Sequence, residues 1–155
     1  MDRGLTFRYG YDNSIRMASV NTQFSIAVHV LAGLEKYGPV VTSEGLAGSV
    51  NANPAFVKRV LAKLSKAKLV RNTVGKSGGC SLARRPKDIS LLDVYNAVGA
   101  PRAFAIHDYP SVKTCLVSSN IKRVMGTVLE SAQRSLEGDL KKTTIEDVVV
   151  KLAKK

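Results

Sequence analysis

Residues 53–87 read NPAFVKRVLAKLSKAKLVRNTVGKSGGCSLARRPK, and the fold turns on this stretch. From Pro54 to Lys87 it carries ten lysines and arginines and no acidic residue: Lys58, Arg59, Lys63, Lys66, Lys68, Arg71, Lys76, Arg84, Arg85 and Lys87. Its first half has helical periodicity, running to about Ala67. Val57, Val60, Leu61 and Leu64 recur three and four residues apart and make one apolar face. Asn53 suits the cap, and Pro54 the first helical position, where its missing N–H is not needed. Ala55, Arg59, Ala62 and Lys66 stand on the opposite face, flanked by Lys58 and Lys63. Small residues between cations let a helix approach a surface closely. In a DNA major groove, Arg can grip guanine and Ala can meet a thymine methyl. A merely solvated helix face is the alternative, and the helix alone does not decide.

The second half adds weight to the DNA reading. Residues 69–74 read as a strand, 75–79 as a flexible basic tip, and 80–84 as a returning strand. Gly78 and Gly79 would let the tip backbone approach a phosphate or enter a minor groove, beside Lys76 and Ser77. A phosphate-binding catalytic loop does not fit, because the glycines do not follow a strand and open a helix in the required order.

Residues 21–37 predict a helix with Phe24, Ala27, Val28, Leu31, Ala32 and Leu34 inward, stopped by Gly38-Pro39. Thr42 or Ser43 caps a second helix that turns Leu46, Ala47 and Val50 inward. Helix, turn, helix and basic hairpin together make a winged helix-turn-helix. Residues 89–98 predict a short helix capped by Ser90 and ended by Gly99. Residues 100–119 lack a period, and loops this long are often functional. From about Asn120 to near Gly138 runs a long helix with the stripe Ile121, Val124, Met125, Val128, Leu129, Ala132 and Leu136. It is read as a dimerisation helix in preference to a cap on the domain's own core. Thr143 or Thr144 caps a last helix carrying Ile145, Val148, Val149 and Leu152.

The expected fold is therefore mainly α with a small β-hairpin wing. Residues 1–19 form an extension, 20–99 the DNA-binding domain, 100–120 a sensor-type loop, and 121–155 the dimerisation and C-terminal helices. The formal charge of +12 is concentrated: residues 20–99 alone hold +7. Such a balance favours a polyanionic partner. At 45% apolar the 155-residue chain can build a core. No stretch predicts a membrane span or a signal peptide, so a cytoplasmic protein without membrane partners is expected.

Several stretches together carry a family resemblance. They are FSIAVHVL from Phe24, NPAFVKRVL from Asn53, GKSGGCSLA from Gly75, ISLLDVY from Ile89 and TIEDVV from Thr144. The chain resembles the Rrf-two family of bacterial winged-helix regulators over about residues 20–152. Its flavour is nearest the YwnA-like branch, from FAIH at Phe104 and CLV at Cys115. The resemblance implies a homodimer that binds a pseudo-palindromic operator, usually as a repressor. It implies Thr42 and Ser43 for phosphates, Ala55, Lys58 and Arg59 for the groove, and Lys76 to Gly79 for the wing.

The chain also departs from the family. Cluster-binding members carry three cysteines spaced six apart before the long helix. Cys115 matches the last, but Tyr109 and Ala103 stand six and twelve residues earlier, and Ser118 three later. One thiolate, even with His107, is too few for an iron–sulfur cluster, which needs about four ligands. No cofactor or metal is expected. Cys115 is either a redox-sensing thiol or an inert loop residue. Cys80 shares a strand face with Leu82 and is read as a small buried residue, with sensing as the other role. The loop could instead bind a small-molecule effector. No catalytic constellation stands out, so an enzyme is not expected. A winged-helix protein–protein interaction module remains the alternative function.

Overall fold

The winged helix-turn-helix is present in the computed structural model, which describes residues 22–38, 40–75 and 78–154. Its helices are α1 (Gln23–Tyr37), α2 (Ser43–Val50), α3 (Pro54–Lys66), α4 (Leu91–Ala97), α5 (Leu116–Lys142) and α6 (Ile145–Ala153). Between α3 and α4 lie β1 (Val70–Thr73), β2 (Gly79–Leu82) and a short 3-10 turn, Pro86–Asp88. The expectations for residues 1–19, Pro39, Lys76 and Ser77 fall outside the described residues.

Local chemistry sets most boundaries. Gly38 ends α1 at φ 115°, a conformation that side chains disfavour. Thr42 caps α2 by accepting the Gly45 N–H at 3.1 Å. Asn53 caps α3 by accepting the Ala55 N–H at 2.8 Å, with Pro54 at the first helical position. Ser90 with Asp93, and Thr144 with Asp147, form reciprocal capping boxes at α4 and α6.

The core lies where α1, α2, α3 and α4 meet. Val57, Val60, Leu61 and Leu64 of α3 are all buried, together with Ala27, Val30, Leu31 and Leu34 of α1. Each fully buried Val or Leu is worth about 1.5–3 kcal/mol relative to exposure. Among the described residues no helix is long and apolar enough to cross a membrane.

Three features differ from the sequence expectation or lie outside it. Val41 pairs with β2: its N–H donates to the Cys80 carbonyl at 3.0 Å and its carbonyl accepts from Cys80 at 2.8 Å. The wing is thereby tied to the segment that opens α2. The long helix starts at Leu116 and passes through Gly138 to Lys142. It begins earlier because Cys115 Sγ accepts the Ser118 N–H at 3.5 Å, a cap without apolar periodicity. It continues past Gly138 because one interior glycine costs only about 1 kcal/mol. Lys141 and Lys142 also suit the negative end of the helix. Finally, α6 packs on α1, a placement on which the sequence carried no expectation. Ile145 is fully buried, and its N–H donates to the Ile89 carbonyl at 2.9 Å.

Candidate nucleic-acid interface

One groove of about 390 Å³ gathers α2, α3 and the wing. Thr42, Ser43, Glu44, Lys58, Ala62, Asn72, Gly78, Gly79 and Cys80 are among the residues lining it. Five of the expected DNA-facing residues therefore meet around one concavity: Thr42, Ser43, Lys58, Gly78 and Gly79. Ala55 and Arg59 border a neighbouring depression at the start of α3, with Asn53. The Arg59 guanidinium lies 5.6 Å from the Phe56 ring centroid, which holds it against the helix and limits its freedom.

Lys63 is placed differently. Its ammonium donates to Gln23 Oε1 at 2.6 Å and to the Val98 carbonyl at 2.7 Å. It therefore caps the carboxyl end of α4 and ties α3 to α1, away from the groove. That position depends on a partner 35 residues along the chain, so local spacing gave no signal for it.

Sequence reasoning missed Glu44. Its Oε1 lies 2.9 Å from Lys58 Nζ, and its Oε2 accepts from Ser43 Oγ at 3.0 Å. The Lys58 hydrogen bond above all, then its own backbone and Ser43, hold the Glu44 carboxyl below the usual carboxylate range. A charged carboxylate thus sits in an otherwise cationic groove and pairs with one of its lysines. A signal existed: Glu44 is in the first turn of α2, where the helix end favours negative charge.

The wing glycines serve the fold first. A Cβ on Gly79 would come 2.6 Å from Val40 Cγ1 and 2.7 Å from the Val41 carbonyl oxygen. One on Gly78 would collide with the Thr73 carbonyl oxygen. These positions are closed to side chains by hairpin packing, whatever the tip approaches.

The two thiols lie in unlike settings. Cys80 is buried at the groove floor and donates to Asn72 Oδ1 at 3.4 Å. Burial, and then the Glu44 carboxylate, push its pKa up, so it resists forming a thiolate. Cys115 is exposed at the start of α5. His107, in the loop between α4 and α5, lies with its ring 5.8 Å from that of Tyr109.

The long helix joins the domain through one buried polar side chain. Gln133 Oε1 accepts the Ala103 N–H at 3.1 Å, and its Nε2 donates to the Tyr95 hydroxyl at 3.2 Å and to Glu137 at 2.9 Å. Residues 105–107 lie along Ile121, Met125 and Leu129. Val124, Val128 and Ala132 remain exposed, and Leu136 is half-buried. Leu116 and Val117 are 81% and 66% exposed.

Residues 20–151 match the family profile described as Rrf2, iron-dependent transcriptional regulator. The chain is 37% identical over 131 residues to YwnA of Bacillus subtilis, a candidate HTH-type transcriptional regulator, covering 84% of this chain and 96% of that one. Among solved structures, a candidate transcriptional regulator from Lactobacillus plantarum superposes with a TM-score of 0.74 at 27% identity, covering 86% of this chain and 91% of the other. IscR from T. potens, at a TM-score of 0.65 and 24% identity over 86% of this chain and 87% of its own, shares the fold.

The iron in the family description does not fit the donors present. Among the described residues no three His, Cys, Asp or Glu side chains gather where they could hold a metal ion. Cys80 is directed to Asn72 and Cys115 to the first turn of α5. The profile match, the YwnA relationship and the shared architecture agree on one conclusion: the chain is a helix-turn-helix transcriptional regulator of the Rrf2 family.

Proposed function

We propose that the protein is a homodimeric, sequence-specific DNA-binding repressor acting in the cytoplasm. The observation that carries this reading is the groove in which the start of α2, the outward face of α3 and the wing converge. The Thr42 hydroxyl and the first N–H groups of α2 suit phosphate, and Ser43 would join them by turning its hydroxyl away from Glu44. Arg59 and Ala55, on the exposed face of α3, suit base edges in the major groove. The exposed Val124 and Val128 on the long helix support pairing with a second copy, which would present two such grooves to the halves of a palindrome. Repression then follows from occupying the operator.

The switch falls to Cys115, the exposed thiol at the cap of α5. A hydroperoxide would oxidise it to a sulfenic acid, one peroxide oxygen joining the sulfur and the other leaving as water or alcohol. The Ser118 N–H would lose its present acceptor geometry at the start of the dimerisation helix.

The test is an anisotropy titration of labelled DNA from the gene's upstream region against random DNA, across a salt series, with reduced and peroxide-treated protein. Preference for the upstream DNA, lost on oxidation in wild type and retained in Cys115→Ser, is the expected result. Equal affinity for both DNAs at every salt concentration would sink operator recognition there.

A further inference from the structure

We propose that the cleft between α1, the end of α2 and α6 is a binding site for a small organic carboxylate with an apolar body. The cleft measures about 490 Å³, within the range of small-molecule sites. Val28, Ala32, Val148, Val149 and Leu152 give it apolar walls, and Gly33 keeps one wall low. Tyr37 and Leu152 at its edge are 71% and 70% exposed, large apolar surfaces left uncovered beside a concavity.

The polar groups are few and all suited to an acceptor. His29 Nε2 lies 3.0 Å from Ser49 Oγ, joining α1 to α2 across the cleft. If Nε2 donates, the serine hydroxyl keeps its proton free. If Nε2 accepts, the other ring nitrogen carries a proton that this bond does not use. In either tautomer the pair retains one donor. Ser25 is already engaged, donating to the Thr22 carbonyl at 3.0 Å. Lys36 supplies a cation, and none of the described side chains lining the cleft is acidic. The negative ends of α1 and α6 border the cleft and oppose an anion, and the lysine in each last turn, Lys36 and Lys151, offsets them. With Lys36 and the spare donor of the His29–Ser49 pair among its polar groups and no acidic side chain in its lining, the cleft favours an anion over a cation, and an apolar body over a polar one.

This site is separate from the DNA-facing groove, so its test needs no DNA. Isotope-labelled full-length protein would be titrated with 2-naphthoate and with the neutral 2-naphthamide, following amide shifts. The expected result is saturable binding with shifts at α1 and α6, and an affinity for naphthoate about three- to fivefold above naphthamide, as one exposed cation allows. Lys36→Gln should erase that preference. Ala153→Trp, at the exposed last residue of α6, should fill the mouth and weaken both probes by about tenfold. A matching melting curve for each variant shows that it folds. No saturable binding, shifts centred elsewhere, equal affinity for the two probes, or indifference to Ala153→Trp would each overturn the proposal.

Discussion

Helices α3 and α5 carry the same kind of sequence and meet opposite fates. Both are amphipathic, and both place lysine or arginine beside an apolar stripe. The stripe of α3 is wholly buried within its own domain, beneath α1, α2 and α4. The stripe of α5 is covered in part by residues 105–107 and anchored by Gln133, while Val124 and Val128 face solvent. Periodicity says that a face must be covered. It does not say by what. The covering of α3 is intramolecular because short turns fold its neighbours back onto it. The covering of α5 is incomplete because a loop, not a helix, precedes it.

The sharpest way to separate the two helices is to damage each stripe in turn. Leu64→Ala, in the fully buried face of α3, should destabilise the domain by about 2–5 kcal/mol, read as a lower thermal midpoint. Val128→Glu, on the exposed face of α5, should leave the far-ultraviolet spectrum unchanged while shifting sedimentation from the proposed dimer toward monomer. A large loss of helicity in Val128→Glu would mean that α5 is needed by the domain itself, and the contrast would fail.

A smaller effect tests the wing. Gly79→Ala places a methyl group where Val40 and the Val41 carbonyl already stand. Overpacking of this kind costs about 1–3 kcal/mol. The loss should appear in chemical denaturation without DNA. An unchanged midpoint, with weakened DNA binding alone, would return the glycine to the role that the sequence suggested, close approach to the nucleic acid.

The groove itself offers a comparison of similar size. Arg59→Ala should cost about 1–3 kcal/mol on a specific site and relax base preference. Lys63→Ala should instead lower stability, since its ammonium is bonded to Gln23 and Val98. Melting curves and anisotropy on the two variants would exchange these assignments if Lys63→Ala affected DNA alone.

What could be read in the sequence follows from the range of each interaction. The caps at Thr42, Asn53, Ser90 and Thr144 bond within three residues, so residue type and position suffice. The buried face of α3 and the pairing of β1 with β2 follow from periodicity and a short connection. The Val41–Cys80 pairing, the Lys63 bond to the Val98 carbonyl and the Ala103–Gln133 bond join segments 30 or more residues apart. Nothing local announces them. The start of α5 is hard to read for another reason: only Val117 carries the stripe back beyond Ile121, and a cysteine cap is a weak signal. Among the site residues, Lys58 flanks the outward face of α3 by its spacing, but its partner Glu44 lies on a different helix.

That pair gives the smallest predicted effect and the most specific one. Glu44 sets a negative charge among groups suited to phosphate, and it engages Lys58. Glu44→Gln should therefore tighten binding to random DNA and steepen its salt dependence by about one counterion. The pH dependence has a definite sign. Lys58, the Glu44 backbone and Ser43 hold the carboxyl below its ordinary range, so it stays charged as pH falls from 8 to 5. The same depressed pKa means that the pair's contribution to stability is present above the unfolded carboxylate pKa and is lost as pH falls through the folded one. The ratio of variant to wild-type affinity should then be flat between pH 5 and 8. A ratio that shrinks toward pH 5 would show Glu44 taking up a proton early, and the Lys58 pair would no longer account for the balance of charge in the groove.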